Sequence, residues 1–132
     1  MEDMLDKQNL QFLLEDNHWL QPYLNQKKII FKQDKINGYQ IHFYHDETEI
    51  VYSSISQRNR ALLSLTTTKH DETETSVVKD LGVMVDCSRN AVPKIITLKK
   101  FIRYLSFMGY TFLGLYMEDT LKIDGEIGRA HV

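Results

Sequence analysis

Two hydrophobic periods alternate along the chain. Leu10, Leu13 and Leu14, with Trp19 and Leu20 beyond, fall at helical spacing and predict an amphipathic first helix that stops before Pro22. Lys28-Ile29-Ile30-Phe31-Lys32 then reads as a strand. Asn37-Gly38 is the pair that a tight type I′ hairpin prefers, because both of its central residues need positive φ. Tyr39, Ile41 and Phe43 alternate with Gln40 and His42, so one face of the next strand is apolar. Asp46-Glu47 makes a second turn, and residues 48–53 continue the meander with Ile50 and Tyr52 on one face and Val51 on the other.

The period turns helical from Ile55 to about Thr66, with Ile55, Leu62 and Leu65 on one stripe and Arg58 and Arg60 off it. Ser53, Ser54 or Ser56 is available to cap its start. The β-branched run Thr66-Thr67-Thr68 and the polar His70-Asp71-Glu72 end it, and residues 73–78 read as a linking strand. Up to residue 80 the pattern predicts a small α+β unit: helix, antiparallel meander, helix.

Past residue 80 the pattern changes. Residues 81–85 form a short continuous apolar run, as in a strand buried on both faces of a parallel sheet. Pro93 suits the first turn of a helix; Ile95, Leu98, Ile102 and Leu105 make its stripe, with Lys99, Lys100 and Arg103 off it, and Gly109 supplies the stop. Residues 112–117 are again apolar, which completes a strand-helix-strand unit. Asp86 and Arg89 follow the first of these strands, and Glu118 and Asp119 the second. Ligands of parallel α/β folds bind at the carboxyl ends of strands, so these four residues are the candidate site.

Composition narrows the classes. A chain of 132 residues with 42% hydrophobic residues and a net charge of -2 has a soluble globular profile and lacks the basic excess that nucleic acid or an anionic membrane surface demands. Cys87 stands alone, so no intrachain disulfide or thiolate metal cage is expected. His18, His42, His45, His70 and His131 show no metal-ligand spacing, and no cofactor motif stands out. The acidic start Met1-Glu2-Asp3-Met4-Leu5-Asp6-Lys7 is unlike a secretory signal, and no apolar run is long enough to span a bilayer. A cytoplasmic location is expected.

Gly82-Val83-Met84-Val85-Asp86-Cys87-Ser88-Arg89-Asn90-Ala91-Val92, with Met108-Gly109-Tyr110 and Leu115-Tyr116-Met117-Glu118-Asp119-Thr120, resembles the start of the catalytic barrel in β-N-acetylhexosaminidases of glycoside hydrolase family 20. Gln57-Arg58-Asn59-Arg60-Ala61-Leu62-Leu63-Ser64-Leu65 is similar to the helix that closes the small α+β domain preceding that barrel. The resemblance implies an N-terminal α+β domain over residues 1–80 and the truncated start of a (β/α)8 TIM barrel over residues 81–126. It implies an exo-acting hydrolase that removes terminal non-reducing N-acetylglucosamine or N-acetylgalactosamine by a substrate-assisted, retaining route. Arg89 would grip hydroxyls of the terminal sugar, as a planar fork of donors can, and Asp86 would orient Arg89. Glu118 and Asp119 would stand near the pocket rim. Many members carry histidines where Leu115-Tyr116-Met117 stands here, a departure on that wall. No cofactor is implied, and the full-length enzyme is a candidate homodimer.

Glu118 and Asp119 are not expected to be the catalytic pair. Neighbouring side chains on a strand point to opposite faces, and the family's Asp-Glu pair lies on a later strand in the opposite order. That pair has no counterpart here, so the chain as given is expected to be inactive. About ten large apolar side chains, each worth roughly 1.5–3 kcal/mol when buried, would stay open without the remaining barrel, so residues 81–126 are not expected to hold a native barrel conformation alone. Ile127-Gly128-Arg129-Ala130-His131-Val132 matches nothing in the family and, with Glu126, reads like one frame of a synthetic sequencing adapter, so 127–132 are expected to be a non-native tail.

The rival reading is a standalone carbohydrate-binding or interaction module, with Tyr39, Phe43, Tyr44 and Tyr52 as a sugar-stacking platform. Alternate aromatics on a strand more commonly cover a helix, and that is the expectation here.

Overall fold

A computed structural model describes residues 4–15, 17–22, 28–89 and 92–118. Asp119, Glu126 and the tail lie outside the described residues. Helix α1 (Met4–Leu14) and a 3-10 turn (His18–Leu20) precede strands β1 (Lys28–Gln33), β2 (Gly38–Phe43) and β3 (Glu47–Tyr52). Helix α2 (Ile55–Ser64), strand β4 (Glu72–Thr75), strand β5 (Gly82–Asp86), helix α3 (Ile95–Phe107) and strand β6 (Phe112–Tyr116) follow. The architecture is α+β, with a mixed four-stranded sheet and a parallel pair.

The expected meander is corrected. The order of the four-stranded sheet is β1-β3-β2-β4, with β1 parallel to β3 and β2 antiparallel to both β3 and β4. Asn37-Gly38 therefore closes no hairpin between β1 and β2. Gly38 does take positive φ, +120°, but for another reason: a Cβ there would lie 1.9 Å from the carbonyl oxygen of Glu74, so only glycine lets β4 approach. The true hairpin is β2–β3, where the Tyr44 N–H donates to the Glu47 carbonyl.

Helix α2 lies between this sheet and α3, which explains why it is buried on more than its apolar stripe. Ala61 and Leu62 are fully buried, and so is Arg58, which the helical pattern had placed off the stripe. Its guanidinium donates to Asn59 Oδ1 and stands 5.9 Å from the centre of the Phe31 ring, a cation–π approach from β1. Ser54 occupies the N-cap position, but its hydroxyl pairs with Ser56 Oγ and makes no capping bond. The core joins Leu13, Leu20, Tyr39, Ile41, Ile50, Tyr52 and Leu62 with Phe107 from α3. Tyr39 and Tyr52 are thus core residues; of the four aromatics considered as a platform, Tyr44 alone is exposed.

Beyond residue 80, β5, α3 and β6 form one parallel strand-helix-strand unit. Gly109, at φ +84°, ends α3 in a Schellman motif: its N–H donates to Ser106, and the Tyr110 N–H reaches back to Leu105. The stripe expected of α3 holds only at its C-terminal half. Leu105 and Phe107 are buried, whereas Ile95 and Ile96 in the first turn stand clear of the core. Arg103, off that stripe, is buried against α1, where it reaches the Phe12 carbonyl and Glu15. Met84 and Phe112 lie open on one face of the strand pair. Among the described residues no helix is long and apolar enough to cross a membrane.

Candidate functional site

The site grows from the register of β5 and β6. Asp86 and Tyr116 are direct cross-strand partners at the carboxyl ends, and the Cys87 N–H extends the ladder by donating to the Tyr116 carbonyl at 2.8 Å. Paired positions on parallel strands project to the same face, so the Asp86 carboxylate and the Tyr116 phenol share one side of the pair.

Asp86 opens a tight turn in which its Oδ1 accepts from the Ser88 N–H at 2.8 Å and from Ser88 Oγ at 2.6 Å. An aspartate followed two residues later by a serine makes such a turn readily. The turn leaves Oδ2 for Arg89, whose Nε lies 3.4 Å away. The two bonds from Ser88, hydroxyl and backbone, together with the Arg89 charge hold the Asp86 carboxyl below its ordinary value, so it stays ionised. The Arg89 side chain is 79% exposed, with its fork available to solvent.

On the second strand, the Tyr116 hydroxyl donates to Glu118 Oε1. That bond, then burial and the charges of Glu118 and Asp86, push the phenol up, so Tyr116 is a neutral donor. Arg89, Asp86 and Glu118 therefore lie on the ends of neighbouring strands, and Glu118 is partnered by Tyr116. Asp119 lies outside the described residues. Sequence reasoning passed over Ser88 and Tyr116. The Asp-x-Ser spacing was a usable signal for the first; the second emerges only from the register.

An exposed guanidinium, a fixed carboxylate and a neutral phenol suit hydroxyl recognition, since they gather donors and acceptors at the ends of two paired strands. Among the described residues no cluster of three or more His, Cys, Asp or Glu is arranged to hold a metal. A cleft of about 520 Å³ lies at the other end of the strand pair, lined by Ser53, Ser76, Asp80 and Thr111 among others. Several of its hydroxyls are already engaged: Ser53 donates to the Gly38 carbonyl, Ser76 to Val78 and Thr111 to Leu81, and Ser54 pairs with Ser56. No family model matches the chain, and no curated protein matches it.

Proposed function

We propose that this chain carries the sugar-gripping wall of an exo-β-N-acetylhexosaminidase of the glycoside hydrolase family 20 type, its α+β unit followed by the first strand-helix-strand of a TIM barrel. The observation that carries the reading is the Asp86-Ser88-Arg89 turn at the carboxyl end of β5: one carboxylate oxygen is held by Ser88 and the other faces Arg89. A guanidinium steadied in this way offers parallel donors to two adjacent hydroxyls of a terminal N-acetylhexosamine. Tyr116 and Glu118 extend the polar wall on the neighbouring strand.

In this reading the bond is broken elsewhere. The substrate's acetamido oxygen attacks the anomeric carbon, an Asp orients the acetamido group, and a Glu protonates the leaving oxygen; both acids belong to a later barrel strand. The open faces around Met84, Phe112, Ile95 and Ile96 suit burial by further barrel elements. The test is hydrolysis of an aryl N-acetylglucosaminide by the 132-residue chain alongside the coding sequence beyond codon 126. No turnover, with an in-frame Asp-Glu pair downstream, is expected. Turnover by the chain itself would overturn the placement of the catalytic acids.

A further inference from the structure

We infer that Asn37-Gly38 is a self-modification site, guarded by the closed β2–β4 ladder, whose deamidation holds the β4 edge of the sheet open. The chemistry needs only water. The Gly38 backbone nitrogen gives its proton to solvent base and attacks Asn37 Cγ; a C–N bond forms, the Cγ–Nδ2 bond breaks, and the side-chain nitrogen leaves as ammonia. Water then opens the five-membered imide at either carbonyl, giving aspartate or isoaspartate without any redox change. Glycine suits the attacking position because no Cβ obstructs the approach of its nitrogen.

The fold restrains both the attacking and the departing nitrogen. Gly38 is buried, and its N–H, the attacking group, donates to Ser53 Oγ at 3.3 Å. The departing nitrogen of Asn37, Nδ2, donates to the Ser76 carbonyl at 3.0 Å, and the Asn37 carbonyl accepts from the Ser76 N–H at 3.2 Å. Ser76 directly follows β4, and Gly38 pairs with Thr75. Attack therefore requires the end of this ladder to separate. β4 is the strand that can separate locally, because it has four residues and lies at the edge of its sheet with β2 as its partner.

The product does not fit back. Aspartate sets a carboxylate against the Ser76 carbonyl, an acceptor against an acceptor. Isoaspartate also adds a methylene to the main chain beside Gly38, where the approach of Glu74 leaves no slack. With β4 displaced, Glu72 and Glu74 leave their partners Tyr39, Ser64 and Arg60, so the change spreads from the edge to the face of α2.

The test is to age the chain in mildly alkaline buffer, native and in urea, and to follow position 37 by peptide mass and isoaspartate detection. The native chain is expected to deamidate about tenfold or more slowly than the unfolded chain, with Ser53→Ala speeding the native reaction. Asn37→Asp, which carries the product side chain, is expected to lose hydrogen-exchange protection across residues 72–75 while the Leu105 and Phe107 amides keep theirs. Equal rates in the native and unfolded chains, or no deamidation in either, would overturn the guarded site; full protection of β4 in Asn37→Asp would overturn the trap.

Discussion

Arg103 holds Phe12 twice: its guanidinium carbon lies 4.3 Å from the centre of the Phe12 ring, and its Nε donates to the Phe12 carbonyl at 2.8 Å. A further nitrogen reaches Glu15 Oε2, also at 2.8 Å, so one side chain of α3 fastens the end of α1 across about ninety residues of sequence. Arg103→Ala is expected to cost about 2 kcal/mol, from the lost stacking and hydrogen bonds together. Glu15→Gln is expected to cost less than about 1 kcal/mol, because the carboxylate is 69% exposed and screened by water. Urea midpoints of the two variants at unchanged slope check the difference.

Tyr39 and Glu72 make stability depend on pH at both extremes. Burial and the 2.6 Å bond to Glu72 push the Tyr39 phenol from 10.0 up to about 12. The folded chain then keeps a proton that the unfolded chain releases, so this contribution is full below pH 10 and is lost as pH rises through about 12. Burial raises Glu72, but bonds from Ser64, Thr68 and Tyr39, with the Arg60 charge, outweigh it and hold the carboxyl below 4.5. That contribution is present above pH 4.5 and is lost as pH falls through the lowered value. Tyr39→Phe is expected to cost about 1 kcal/mol at neutral pH and to remove the Tyr39 share of the alkaline slope, leaving the smaller share of Tyr116 and most of the acid limb. Denaturant titrations across pH measure both limbs.

Ser88 holds the Asp86 carboxyl below its ordinary value. Ser88→Ala removes the hydroxyl bond at 2.6 Å and leaves the backbone one, so the Asp86 carboxyl is expected to titrate closer to its ordinary value of 3.8 than in the parent chain. Carboxyl-carbon NMR titration of the two chains measures it. An unchanged midpoint would show that the Ser88 hydroxyl does not stabilise the Asp86 carboxylate.

Gly109→Ala is expected to destabilise the chain by roughly 1–2 kcal/mol, the cost of placing an L residue in the left-handed region. The new Cβ would also stand 3.0 Å from Arg60 Cδ, which crowds the α2–α3 contact. Thermal melts register the loss.

Strand and helix positions were legible in the periodicity because apolar residues recur at the period of each element: Tyr39, Ile41, Leu62 and Leu105 are all in the core. Partners were not. Nothing in Lys28-Ile29-Ile30-Phe31-Lys32 distinguishes an antiparallel neighbour from the parallel pairing with β3, and the Asn-Gly signal arose from the close approach of Glu74 instead of a turn. Arg58 and Arg103 were misplaced because a helix packed on two sides buries residues off its stripe, where long side chains find their own partners. At the candidate site, Asp86 and Arg89 were readable from strand-end chemistry; Tyr116 required the register.

If Arg89 grips a sugar, as proposed, the side-chain Nε–H resonance of Arg89 in a 15N-labelled chain reports it. On titration with N-acetylglucosamine that resonance is expected to shift progressively, with the Ser88 and Tyr116 amides moving alongside it and falling silent in Arg89→Lys. An Arg89 signal that stays fixed at saturating sugar, or a response confined to Tyr44 and its neighbours on the four-stranded sheet, would contradict it.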